Sequence, residues 1–66
     1  MEFNNKLKKV RTLLNISQET MARELNVSFA TINRLEKGKT LPSYKTLKKF
    51  EILCQNYNIV LGDKNV

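Results

Sequence analysis

The chain has 66 residues, 41% apolar and 27% charged, with 12 lysines and arginines against 6 acids for a formal charge of +6. That leaves room for one domain with a small core, so folding must rely on close helical packing, on a second copy, or on both. One cysteine and no histidine exclude an intramolecular disulfide and a cysteine–histidine zinc site, and no apolar run approaches membrane-spanning length.

The first periodic segment runs from Asn4 to Leu14. Phe3, Leu7, Val10 and Leu14 recur at steps of four, three and four, with Leu13 beside them, while Lys6, Lys8, Lys9 and Arg11 take other faces. This is the pattern of an amphipathic helix. The charges scattered from Glu2 to Arg11 leave no apolar stretch of the kind a signal peptide needs. After the break at Asn15–Ile16, Ser17 is placed to cap a second helix over Gln18 to Leu25, with Met21, Ala22 and Leu25 inward and Ile16 as a staple. Asn26 suits the left-handed conformation that ends helices, and Ser28 is a second cap. A third helix is expected from Phe29 to about Lys37, with Ile32 and Leu35 inward and Gly38 closing it. Ser43 caps a fourth helix from Tyr44 to about Asn56, whose stripe is Leu47, Phe50, Leu53, Cys54 and Tyr57. The short run Ile59–Val60–Leu61 does not distinguish helix from strand, and a short strand or an extended tail is expected over 58–66. The fold class is therefore all-α, a compact domain of four to five helices spanning residues 1–66.

The positive charge is concentrated. Residues 25–49 hold Arg34, Lys37, Lys39, Lys45, Lys48 and Lys49 against Glu36 alone, and the flanking segments are closer to balance. A localised basic excess points to a polyanion, nucleic acid ahead of an anionic membrane. The stretch from Ser17 to Gly38 sharpens this. Two short helices meet at a three-residue break, with Ala22 small enough for a close crossing, and such a turn swings the second helix steeply across the first. The face of that second helix left unburied offers Ser28, Phe29, Ala30, Thr31, Asn33, Arg34 and Lys37, with no acid before Glu36. Hydrogen-bonding tips, small residues and positive charge are what a helix lying in a DNA groove requires.

The pattern S-Q-x-x-x-A-x-x-L-x-V-S-x-x-T-I-x-R-x-E-x-G over Ser17 to Gly38, continued by Lys39 and Pro42-Ser43, resembles the lambda-repressor/Cro-like helix-turn-helix family, also called the XRE family. The likeness extends over about residues 6–56, with asparagine at 26 where the family often has glycine. It implies a lambda-repressor-like domain with its helix-turn-helix at 17–38. It further implies that Ser28, Phe29, Ala30 and Arg34 face base edges or nearby phosphates. Asn33 and Thr31 match positions used variably for either; Asn33 is placed with the base-facing set and Thr31 with the phosphate set. Gln18 matches the glutamine that grips a phosphate and braces the recognition helix. Lys37, Lys39 and Thr40 match the loop that follows the DNA backbone. Arg11 and Glu36 match a partly buried ion pair of structural role.

The expected function is sequence-specific binding of double-stranded DNA by a homodimeric transcriptional regulator, a repressor on a palindromic operator. The expected setting is the cytoplasm, in association with the nucleoid, for a bacterial or phage-encoded protein. Tyr57, Ile59, Val60 and Leu61 are the candidate dimer surface, as a strand shared between copies or as a tail. The competing class is an antitoxin or phage-encoded inhibitor that uses the same fold to hold a protein partner such as a toxin. An enzyme is not expected: the chain has no histidine and no clustered pair of acids, and its one cysteine lies on a core stripe. No cofactor, metal or membrane partner is expected. Lys45, Lys48 and Lys49 are read as the wet face of the fourth helix, and Cys54 as a small core residue.

Overall fold

A computed structural model describes residues 2–61, which form four helices: α1 (Phe3–Leu14), α2 (Gln18–Leu25), α3 (Phe29–Glu36) and α4 (Tyr44–Asn56). The starts of α2, α3 and α4 are set by one device used three times. Ser17, Ser28 and Ser43 are extended, and their Oγ atoms accept from the backbone N–H of Thr20, Thr31 and Thr46 at 3.1, 3.1 and 3.2 Å. The threonine hydroxyl three residues on also bonds the serine hydroxyl in each case, at 3.2, 2.9 and 3.1 Å. Each cap satisfies an otherwise orphaned N–H, a contribution of about 1 kcal/mol.

The ends are equally regular. Asn15, Asn26, Gly38 and Asn58 all have positive φ, between 55° and 75°. The next residue's N–H then reaches back five positions: Ile16 to Arg11, Val27 to Ala22, Lys39 to Arg34 and Ile59 to Cys54, at 3.1, 2.9, 3.1 and 2.8 Å. This is the Schellman arrangement, and its accompanying apolar contact is supplied by Ile16, Val27 and Ile59, which lie partly buried on the core.

That core is Leu7 and Val10 from α1, Met21, Ala22 and Leu25 from α2, Ile32 and Leu35 from α3, and Phe50 and Leu53 from α4. Phe3 sets its ring edge against Phe50, with centroids 5.0 Å apart. The short α3 packs against both α1 and α2, and α4 packs against α2. These contacts bury Ile32, Leu35 and Glu36 of α3 and leave Phe29, Ala30 and Arg34 exposed.

Several expectations change in detail. Tyr57 leaves the stripe of α4 and is 56% exposed, because the helix stops at Asn56 and Tyr57 enters the closing turn at φ −106° and ψ 10°. Leu13 is also exposed, Leu47 is only half-buried, and Cys54 is half-buried against the core. Burial pushes the Cys54 thiol up, with the charge of Glu51 acting the same way and that of Lys6 opposing, so it remains a protonated apolar filler. Thr46, which the helical stripe does not single out, is buried, its hydroxyl held by Ser43. No strand forms among the described residues. Ile59 and Leu61 turn inward onto the core while Val60 faces out, so residues 59–61 are an extended tail. The rest of the expected tail, residues 62–66, lies outside the described residues. Among the described residues, no helix is long and apolar enough to cross a membrane.

Candidate nucleic-acid interface

The free side of α3 carries the residues expected there. Ser28, Phe29, Ala30, Arg34 and Lys37 are exposed, and Thr31 and Asn33 are half-buried at its margins. Phe29 is 51% exposed, whereas Ile32, three residues on, is fully buried in the core. At 3.6 residues per turn, Ala30 and Lys37 lie near the middle of the open arc. Asn33 flanks them toward α2, and Arg34 flanks them on the other side. A small residue at the centre with longer polar ones beside it lets the helix backbone approach a surface closely.

Lys37, Lys39 and Thr40 continue from the C-terminal end of α3 into an exposed turn. Gly38 makes the reversal at φ 75°, and a Cβ there would come to 3.4 Å from Asn4 Nδ2. Ser28 and Thr31 are partly occupied with each other: Ser28 Oγ caps the helix and the two hydroxyls bond at 2.9 Å. Along α4, Lys48 sits 3.8 Å from Glu51 and over the Tyr44 ring at 5.9 Å, while Lys45 and Lys49 are exposed. This is the wet face expected of that helix.

The decisive electrostatic feature is the place of Glu36. It is the one acid of α3, and it is only 4% exposed. Arg11 Nε donates to its Oε2 at 2.7 Å and Arg11 Nη2 to its Oε1 at 3.1 Å, while Arg11 Nη1 donates to the Ile16 carbonyl at 3.1 Å. Gln18 Nε2 adds a third bond to the carboxylate, at 3.0 Å from Oε1. Burial pushes the Glu36 carboxyl up, but the hydrogen bonds from Arg11 and Gln18, with the charges of Arg11 and Lys8, outweigh it and hold the group below its ordinary range. The bond to Glu36 raises the Arg11 guanidinium further still. The negative charge of α3 is thus turned inward and neutralised, and the charges left on its open face are all positive.

Gln18, at the first turn of α2, also reaches α3 directly. Asn33 Nδ2 donates to its Oε1 at 3.3 Å. The bracing role expected of Gln18 is therefore visible as a bridge between Glu36 and Asn33. The link to Asn33 is new to the structure. Residues 18 and 33 carry no spacing signal in the chain, and only the packing of α2 on α3 brings them together.

Two capped helices joined by a tight turn, the second bare on its outer side, define a helix-turn-helix unit. The chain belongs to the helix-turn-helix family, which it matches over residues 7–58. It is 46% identical over 48 residues to the HTH-type transcriptional activator BcrR of Enterococcus faecalis, a match covering 73% of this chain and 24% of that protein. It is 54% identical over 43 residues to an uncharacterized HTH-type transcriptional regulator of Methanocaldococcus jannaschii, covering 65% of each. The chain therefore spans about a quarter of one relative and just under two thirds of the other. No solved structure gives a significant match.

Proposed function

We propose that this chain is a sequence-specific DNA-binding regulator of transcription that lays α3 in the major groove. The supporting observation is the open face of α3, where Phe29, Ala30, Arg34 and Lys37 are exposed while the helix's acid, Glu36, is buried against Arg11. Ser28, Phe29, Ala30, Asn33 and Arg34 are assigned to the base edges. Arg34 suits guanine O6 and N7 through a two-pronged bond, and Phe29 and Ala30 suit thymine methyls. Gln18, Thr31, Lys37, Lys39 and Thr40 are assigned to phosphates. Gln18 keeps one amide hydrogen for that purpose after bonding Glu36.

One recognition helix reads few base pairs, so a homodimer on a palindromic operator is proposed, with half-sites about one helical turn apart. Tyr57 and Val60 are the exposed members of the proposed dimer surface, Ile59 and Leu61 being turned onto their own core. Repression is the proposed outcome, since occupancy of a promoter is enough to block it, whereas activation requires a contact to polymerase. That one relative is named an activator bears on a protein of which this chain matches 24%.

The test is selection of bound duplexes from a random library, followed by affinity against salt on the selected site. A two-fold symmetric site whose affinity falls steeply with salt is expected, because phosphate contacts release counterions. A reporter placed downstream of that site should then be silenced by the chain. Equal affinity for all duplexes, together with capture of a protein partner, would replace this reading with the antitoxin-like one.

A further inference from the structure

We propose that Asn33 reads an adenine, with its amide orientation set in advance by a chain of hydrogen bonds that starts at the Glu36 carboxylate and passes through Gln18. This inference rests on the proposed binding of DNA by α3 and specifies one contact within it.

The orientation follows from donor and acceptor chemistry. An ionised carboxylate only accepts, so Gln18 must turn its NH2 group toward Glu36, where Nε2 stands 3.0 Å from Oε1. That choice leaves Gln18 Oε1 on the opposite side of the amide, facing Asn33. A carbonyl oxygen also only accepts, so Asn33 in turn must present its NH2 group, and Nδ2 stands 3.3 Å from Gln18 Oε1. Neither amide is free to rotate by half a turn without setting two acceptors against each other. Glu36 is itself fixed by two bonds from Arg11. The direction of the whole chain is thus determined by its most buried member, Glu36.

After this bond, Asn33 retains Oδ1 and one N–H, and neither meets another partner among the described residues. One acceptor beside one donor is the complement of adenine in the major groove, where the N6 amino group donates and N7 accepts. A guanine offers two acceptors there, O6 and N7, and would leave Oδ1 facing one of them. Asn33 also lies beside Ala30 and Phe29 on the open arc of α3, at i+3 and i+4 from them, so it shares the surface that approaches the duplex. Arg34, a pure donor on the other flank, takes the complementary preference for guanine.

The experiment begins with the site selected by the wild-type chain. An adenine should be invariant at one position of each half-site, and replacing it should weaken binding roughly 5- to 150-fold. Asn33→Ala should abolish discrimination at that position alone. Single-atom substitution gives the sharper readout: 7-deazaadenine, which lacks N7, should weaken the wild type and leave Asn33→Ala indifferent. Gln18→Ala should lower affinity for all duplexes and, in addition, narrow the ratio between the adenine site and its substituted form, because Asn33 is then free to turn. A circular-dichroism melt of each variant separates these effects from loss of fold. The proposal is overturned if Asn33→Ala weakens every duplex alike with a salt slope reduced by about 1, which marks a phosphate ligand. It is likewise overturned if the ratio survives Gln18→Ala unchanged. A wild-type chain that selects no site at all would instead remove the DNA-reading function on which the inference stands.

Discussion

Arg11 and Glu36, 25 residues apart, are joined by two charge-assisted hydrogen bonds of 2.7 and 3.1 Å that tie the last turn of α1 to the last turn of α3. The two partners are unequally buried, with side chains 25% and 5% exposed. Their removals are therefore not equivalent. Arg11→Ala strands a buried carboxylate with Gln18 as its remaining partner, whereas Glu36→Ala leaves a guanidinium that can still bond the Ile16 carbonyl and reach water. Arg11→Ala is expected to cost about 2–4 kcal/mol, short of the full range for a completely buried pair, and Glu36→Ala clearly less. Urea unfolding of both variants checks the order; equal midpoints would show that burial does not govern the pair.

The same pair sets a pH dependence. Glu36 titrates lower in the folded chain than in the unfolded one, so the unfolded state takes up its proton first as the pH falls. Its contribution is fully present above the unfolded glutamate pKa of about 4.3 and is lost as the pH falls through the lower folded value. Wild-type stability should decline across that acid window, and the decline should be shallower in Glu36→Gln. Thermal melts between neutral and acid pH measure it, and parallel curves for the two chains would place the titrating group elsewhere.

Asn26 holds φ 57° at the turn between α2 and α3, where its N–H bonds the Arg23 carbonyl at 3.2 Å. The left-handed region costs most residues about 1–2 kcal/mol, and asparagine and glycine less. Asn26→Ala should therefore destabilise the chain by about 1 kcal/mol, while Asn26→Gly should be near neutral. Denaturant midpoints of the two variants provide the comparison. A larger loss with glycine than with alanine would contradict the backbone argument.

On the proposed DNA-binding reading, Arg34 and Lys37 should respond differently. Arg34→Ala should cost about 1–3 kcal/mol of binding on the selected site and relax preference at one base pair. Lys37→Ala should weaken all duplexes uniformly and reduce the salt slope by about 1. Titrations on the selected site and on single-base variants, each at several salt concentrations, distinguish the two. Uniform loss in Arg34→Ala would reassign it to a phosphate.

The local organisation of this protein is written in neighbouring residues. The stripes Phe3–Leu7–Val10 and Phe50–Leu53 follow the helical period. The serines at 17, 28 and 43 and the asparagines at 15 and 26 mark starts and stops through bonds that span five residues or fewer. The boundaries of α2, the cap of α3 and the inward set Ile32 and Leu35 are legible in the amino-acid order for that reason. The composition of the open face of α3 follows from the same period.

What the packing alone supplied is the meeting of residues distant in the chain. The period places Glu36 on the inner side of α3, yet its meeting with Gln18 as well as Arg11 requires α1, α2 and α3 to converge on one point. The bond from Asn33 to Gln18 depends on that convergence too, since nothing within either helix aims one at the other. Tyr57 kept the spacing of its stripe but lost its place inside because the helix stopped one residue short. Short-range torsional preferences act on a few residues at a time and can be read one segment after another. The neutralised carboxylate that leaves only positive charge on the outer face of α3 arises only when three segments share one core.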